Sequence, residues 1–281
     1  MLACFLGGCA SPQISSRPIA TSDPSARALL RATEQADGLG SFSSIHDLSV
    51  RYEGRWAQIG PRLQPVLSDT KFRRQSEERL LTNSRIIAQE NVGPAGTKFV
   101  HREPKEVAVL YNGRLSRNEE VRRAAALVAD AYTMFLLGPF YFDRPGVMVA
   151  PNGEGLVDKK QCDEILAVLR PGFGYADEDR VVLFVDRASK HLVRVRMTLN
   201  GLETTQGAEV DVTFSKFVKV GGVTWPTDFD EWIRVPVGLH AHHWRMLGLA
   251  VNRGFAADNI FPPHFTGKAS GATPLLPSAR D

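Results

Sequence analysis

Between residues 181 and 233 apolar and polar side chains alternate with a period of two. Val181, Val182, Leu183, Phe184 and Val185 form a short apolar run. Val193, Val195, Met197 and Leu199 then alternate with Arg194, Arg196 and Thr198, and Ala208, Val210, Val212 and Phe214 with Glu209, Asp211, Thr213 and Ser215. Successive side chains of a strand point to opposite faces, so each segment has one apolar and one charged face. The links, residues 186–190, Asn200-Gly201 and Gly221-Gly222, carry turn residues and are too short for helical crossovers. The pattern predicts an antiparallel meander with one wetted side. Arg194 and Arg196 are expected to pair across strands with Glu209 and Asp211.

The same period recurs elsewhere. Leu48, Val50, Tyr52 and Trp56 alternate with Asp47, Ser49, Arg51, Glu53 and Arg55, a half-buried strand. Residues 71–90 read as two strands among many polar residues. Residues 98–102 and 106–111 form a further pair after the Gly93–Gly96 turn, closed by Asn112-Gly113. Residues 162–169 and 240–251 add two more strands, and residues 150–160 read as a polar loop. Two stretches follow the helical period instead. Asp23 and Pro24 open the first, with Ala26, Leu29, Leu30 and Thr33 on one face, and Gly38 ends it. The second spans residues 116–137, with Ser116 and Glu119 read as a capping box and an apolar stripe from Val121 to Leu136. Gly138-Pro139 ends it, followed by the aromatic triplet Phe140, Tyr141 and Phe142.

Composition narrows the classes. With 281 residues, 43% of them hydrophobic, the chain can bury one large core. A net charge of +3, with both signs interspersed and pairs such as Arg73-Arg74 and Arg122-Arg123 but no basic block, argues against nucleic acid as a partner. Cys4, Cys9 and Cys162 show neither CxxC spacing nor a disulfide framework, and Cys162 reads as a half-buried apolar residue. The acidic residues Asp177, Glu178 and Asp179 lack the ligand spacing of a calcium loop and read as a solvated turn.

Leu6-Gly7-Gly8-Cys9 resembles the lipobox of bacterial lipoproteins, followed by a Ser-, Pro- and Thr-rich stretch suited to a flexible tether. The resemblance implies acylation of Cys9, a membrane anchor and, with Ala10 next, an outer-membrane lipoprotein facing the periplasm. A signal peptide carries a positive leading region, and none precedes Cys9, so either the natural start lies upstream or the match is a coincidence in a cytosolic protein. No other stretch reads as a membrane span.

Candidate chemistry is sparse. His240, His242 and His243 are the one metal-like cluster. On a regular strand His240 and His242 share a face, and Asp228, Asp230, Glu231 or His264 would supply further ligands to a metal-dependent hydrolase. Ordinary strand histidines beside Trp244 are the favoured reading. No nucleophile motif is present in the sequence, and no catalytic residue, cofactor or metal is assigned.

Residues 185–194, Val-Asp-Arg-Ala-Ser-Lys-His-Leu-Val-Arg, resemble the strand–turn–strand of the LolA/LolB-like superfamily. Residues 251–255 with Asp258, Asn259, Ile260 and Phe261 resemble its closing strand. The resemblance implies an α+β fold, an incomplete antiparallel β-barrel (half-barrel) covered by helices, whose concave face holds acyl chains. It implies a single domain over residues 23–265, after a signal remnant and tether (1–22) and before a disordered tail (266–281). Trp56, Val193, Val195, Met197, Val212 and Phe214 are the expected cavity wall. Phe135, Leu136, Phe140, Tyr141 and Phe142 are the expected lid. The expected function is non-enzymatic binding of a hydrophobic lipid or acyl ligand, in lipid or lipoprotein trafficking. An envelope protein-interaction module with a filled core is the alternative.

Overall fold

Left-handed backbone at Asn112 and Gly113, and again at Asp158 and Lys159, turns one strand directly back onto the next. Such tight turns build a sheet from sequential hairpins. In the computed structural model, which describes residues 13–261 and Leu275, thirteen strands form one antiparallel sheet among the described residues. Cys4, the expected acylation site Cys9, His264 and, Leu275 excepted, the tail 266–281 lie outside the described residues.

The strands β1 (Asp47–Trp56), β2 (Gln75–Leu81), β3 (Ile86–Gly93), β4 (Gly96–Arg102), β5 (Val107–Tyr111) and β6 (Arg114–Leu115) step outward to one edge. Then β7 (Val147–Val157), β8 (Lys160–Leu169), β9 (Asp179–Asp186), β10 (Leu192–Thr198), β11 (Glu209–Val220), β12 (Val223–Val235) and β13 (Leu239–Val251) return from the other edge, and β13 pairs with β1. The sheet stays open, and the fold is the expected α+β half-barrel. Residues 150–160, expected as a loop, are strand: β7 and β8 are long, and Asp158-Lys159 alone turns between them.

Helix α1 (Pro24–Asp37) starts and stops where the sequence puts it. The Asp23 carboxylate accepts from the amides of Ser25 and Ala26, and Gly38 closes the helix at φ 100°. A four-residue α2 (Leu39–Phe42) follows, and α3 (Gly60–Leu63) and α4 (Pro65–Ser68) follow β1. The chain must then pass from the edge strand β6 to the opposite edge strand β7. Helix α5 (Glu119–Leu137) makes that passage, about 28 Å of helix at 1.5 Å per residue. Its cap is Asn118, whose side chain accepts from the Val121 amide, and not the expected Ser116. With the turn that follows, α5 is long and apolar enough to cross a membrane, which the sequence reading overlooked; 78% of its most apolar stretch is buried in the fold.

Register fixes what the concave face presents. Leu48, Val50 and Tyr52 of β1 stand opposite Leu80, Glu78 and Ser76 of β2, which stand opposite Ile87, Gln89 and Asn91 of β3. Lys98 of β4 continues the last row and pairs with Asp69 at 2.7 Å. One end of the concave face near β1 is therefore polar, and the face is apolar across β9–β11. This is why residues 71–90 read poorly as strands: their period is two, but part of their inward set is polar.

Several local expectations change in the folded chain. An irregularity between Leu192 and Arg194 turns Val193 to the convex face, where it packs with Cys162, Val182 and Phe184. Arg196 pairs with Asp211 at 2.7 Å, as expected. Arg194 donates to Thr213 at 2.9 Å and reaches the same Asp211 at 4.0 Å, while Glu209 accepts from the Ile14 amide at 2.8 Å. Residues 13–22 run along the convex face and are not free of it: Ile19 is buried and Arg180 donates to the carbonyls of Ser15 and Arg17. Asp179 is buried and not solvated. It accepts from the amides of Phe173 and Asn200 and from the Thr198 hydroxyl, and burial pushes its carboxyl up to about 6.

The motif residues 251–255 have a structural reason. Asn252 is left-handed, and its side chain accepts from the His46 amide and donates to the Ser44 carbonyl. The Asp47 carboxylate then collects the amides of Arg253, Gly254 and Phe255. These bonds fold the chain back so that Ile260 is buried against Ile86, Ala88 and Phe99 on the convex side.

Candidate ligand-binding site

Between α5 and strands β10–β13 lies a cavity of about 300 Å³. Met197, Val210 and Ile233 line its floor, and Leu127, Ala131, Tyr132 and Phe135 of α5 its roof. The segment carrying α3 and α4 closes one side with Leu63 and Leu67, and residues 199–208 close another. Leu63 and Val237 stand at the rim, 47% and 42% exposed, so the approach is apolar as well. The volume lies at the lower end of small-molecule pockets, and the lining is mostly apolar, as in such pockets.

The cavity has one polar end. Arg73, in the link between α4 and β2, stacks over the rings of Trp56 and Tyr132, its guanidinium carbon 5.3 Å from each centroid. Glu231 lies on the concave face of β12, directly across from His242 of β13. Burial pushes the Glu231 carboxyl up to about 7, opposed by Arg73. His242 is held well below the usual imidazole range, first by burial and then by Arg73, so it is neutral. Its ring is sandwiched between Trp56 at 4.0 Å and Trp244 at 4.9 Å. The sandwich needs Gly54: a Cβ there would lie 2.5 Å from His242 Nε2. The Trp56 Nε1 and His242 Nδ1 atoms are buried without a hydrogen-bond partner. Beside His242 a second, water-sized cavity of about 20 Å³ shares the wall made by Arg73 and Tyr132. Behind it Glu78, bonded to Ser76 and Gln89, is also pushed up to about 7 by burial.

The sequence candidates separate in space. Trp56, Met197 and Phe135 line the cavity. Val195, Val212, Phe214 and Leu136 are buried in the filled part of the same core. Phe140, Tyr141 and Phe142 lie beyond the C-terminal end of α5: Phe140 stacks on Phe42 at 4.0 Å, and Tyr141 packs on Phe142 and Phe173. Val193 is on the opposite face. The residues that sequence reasoning missed are Arg73, Glu231, Tyr132, Leu63 and Leu67. A usable signal for the last two was Pro61 and Pro65, each at the first or second position of a short helix.

The three histidines are not brought together. Pairing shifts between Glu231 and Trp232, so Ala241 is an extra residue and His240 leaves the face of His242. His240 bonds Asp230 at 2.8 Å, and His243 bonds Asp228 at 2.9 Å. Among the described residues no group of three His, Cys, Asp or Glu side chains could hold a metal ion.

No protein-family model and no curated protein matches the chain. Solved structures do. A LolA superfamily protein from Nitrosomonas europaea is similar with a TM-score of 0.53 at 11% identity, over 84% of this chain and 96% of that one. A DUF1329 family protein from Desulfovibrio piger gives 0.52 at 12% identity, over 85% and 96%. A domain from Vibrio parahaemolyticus, named for outer membrane lipoprotein sorting, gives 0.50 at 9% identity, over 83% and 94%. At such identities the likeness is one of fold, and the fold is LolA/LolB-like.

Proposed function

We propose that this protein binds a hydrophobic ligand, an acyl chain or lipid, in the cavity beneath α5, and that it does so in the bacterial cell envelope. The observation that carries the reading is the apolar cavity of about 300 Å³ with its apolar rim. Binding is by burial, which contributes about 2.5 kcal/mol for every 100 Å² of apolar surface removed from water. No covalent step is required. The fold shared with a LolA superfamily protein and with a domain named for lipoprotein sorting supports a role in lipid or lipoprotein handling. A core filled by its own helix, as a pure protein-interaction module would have, is disfavoured by the same cavity.

Native mass spectrometry of the protein as purified, and after incubation with detergent-solubilised lipid, is expected to show a bound species of lipid mass. Ala131→Phe or Ala208→Trp places bulk at the wall of the cavity and is expected to lower uptake at least about tenfold. A wild-type protein that takes up no lipid rejects the reading.

The lipobox-like residues 6–9 support an outer-membrane lipoprotein held by acylated Cys9 and facing the periplasm. With the chain expressed behind a lipoprotein signal peptide, fatty-acid labelling at Cys9 and its loss in Cys9→Ala are expected. Undiminished labelling of the variant rules the anchor out.

A further inference from the structure

We infer that the polar end of the cavity is a head-group site, and that the ligand is a single-chain amphiphile whose carboxylate is held by Arg73 with its tail along α5. The inference rests on the cavity reading and names the class of its ligand.

Three observations converge on it. First, among the described residues no carboxylate lies within ion-pair distance of Arg73; it donates to the Leu67 carbonyl, stacks over two aromatic rings, and acts on Glu231 and Glu78 only at longer range. A guanidinium has five donors in a planar fork that matches a carboxylate. Second, the Trp56 Nε1–H and the His242 Nδ1 atom are buried without a hydrogen-bond partner, the Glu231 carboxyl standing 4.0 Å from Nδ1, and His242 is only 4% exposed. A buried donor left unpaired costs free energy, so an oxygen acceptor placed there is favoured beyond its own charge. Trp56 lines the large cavity and His242 the small one, with the two rings stacked 4.0 Å apart. Third, the space selects the head. The cavity of about 20 Å³ across Arg73 and Tyr132, lined also by the exposed Arg74 and Gln75, accepts a group little larger than water, which suits carboxylate oxygens and not a branched phosphodiester.

Glu231 also lines the cavity and would oppose an anion if charged. Burial already favours its protonated form, in which it donates a hydrogen bond to the incoming oxygen. Anion binding at Arg73 strengthens that preference, so the carboxyl does not block the site.

The test compares dodecanoate, dodecanol and dodecyl phosphate by titration calorimetry, so that tail burial is constant and only the head differs. Wild-type protein is expected to bind dodecanoate about tenfold or more tightly than dodecanol. Dodecyl phosphate is expected to bind more weakly than dodecanoate. In Arg73→Met the ratio of the acid and alcohol dissociation constants collapses toward one. Trp56→Phe, which keeps the ring over His242 and removes the donor, reduces that ratio by a few fold. Equal binding of acid and alcohol by the wild type, or a ratio that survives in Arg73→Met, overturns the head-group site. Should Arg73→Met not fold, the wild-type ratio and Trp56→Phe decide. Tighter binding of the phosphate overturns the carboxylate assignment. If neither acid nor alcohol binds, the cavity reading itself falls, and the head-group site with it.

Discussion

Trp244→Ala is expected to lower the stability of the whole domain by about 3–5 kcal/mol, the range for losing a large buried aromatic side chain. Trp244 is 2% exposed and is the centre of an aromatic stack. Phe229 lies parallel to it at 5.1 Å, His242 at 4.9 Å, and Tyr132 and Phe135 of α5 at 5.3 and 5.5 Å. It joins β12, β13 and the helix across the concave face, so the loss falls on sheet and helix together. The substitution opens a hole beside the water-sized cavity and removes one side of the His242 sandwich. Trp244→Phe keeps a ring in place and is expected to cost less than half as much. Urea unfolding followed by circular dichroism measures both. A cost for Trp244→Ala within about 1 kcal/mol of wild type would show that α5 is held mainly by other contacts.

The second large effect is a dependence of stability on pH that runs opposite to ordinary acid denaturation. Burial raises the Glu78 carboxyl from its ordinary 4.5 to about 7. Between those values the folded protein holds a proton on Glu78 that the unfolded chain has released. Stability from this group is full below about pH 4.5 and is lost as pH rises to about 7. At 1.36 kcal/mol per pH unit the loss is on the order of 3 kcal/mol. Glu231, also raised to about 7 by burial, adds in the same direction. His242 and His101, both lowered by burial, oppose the trend below their unfolded values near 6.5. The contribution of Glu78 is therefore read as a difference. Glu78→Gln is isosteric and stays neutral beside Ser76 and Gln89. Relative to wild type, the variant is expected to gain stability on going from about pH 5 to about pH 8, by roughly 3 kcal/mol. A difference that stays flat across that interval would mean that Glu78 titrates as an exposed carboxylate does.

Much of the fold was legible because alternation and helical period are local properties. The strands at residues 48–56, 98–111, 162–169 and 240–251 and the helix from Asp23 to Gly38 could be read from side-chain order and end signals. The fold resemblance rested on residues 185–194 and 251–261, and the structure gives part of its reason. Asp186 holds its turn through the Ser189 hydroxyl and the Ala188 amide, and Asn252 with Asp47 folds the chain back after β13. The site was less legible. Phe140, Tyr141 and Phe142 looked like a lid because they are aromatic and follow an apolar helix. They pack at the end of α5, against α2 and Phe173, away from the cavity. Arg73 read as half of a solvated basic pair and Glu231 as a possible metal ligand, since a charge in sequence looks the same whether it faces solvent or a cavity.

The sequence by itself determined the period of the two long helices and of most strands, most of their ends and turns, and the presence of a greasy concave face. Tertiary structure decided which side chains meet on that face. An irregularity at Leu192–Arg194 sent Val193 outward, and an extra residue at Ala241 parted His240 from His242. One inserted residue reverses every facing beyond it, and such insertions leave little trace in hydrophobic order. The cavity walls come from residues 56–73, 127–135, 197–210 and 231–241. They converge because β13 pairs with β1 and because α5 must cross from one sheet edge to the other. Both are consequences of strand order, which no local pattern contains.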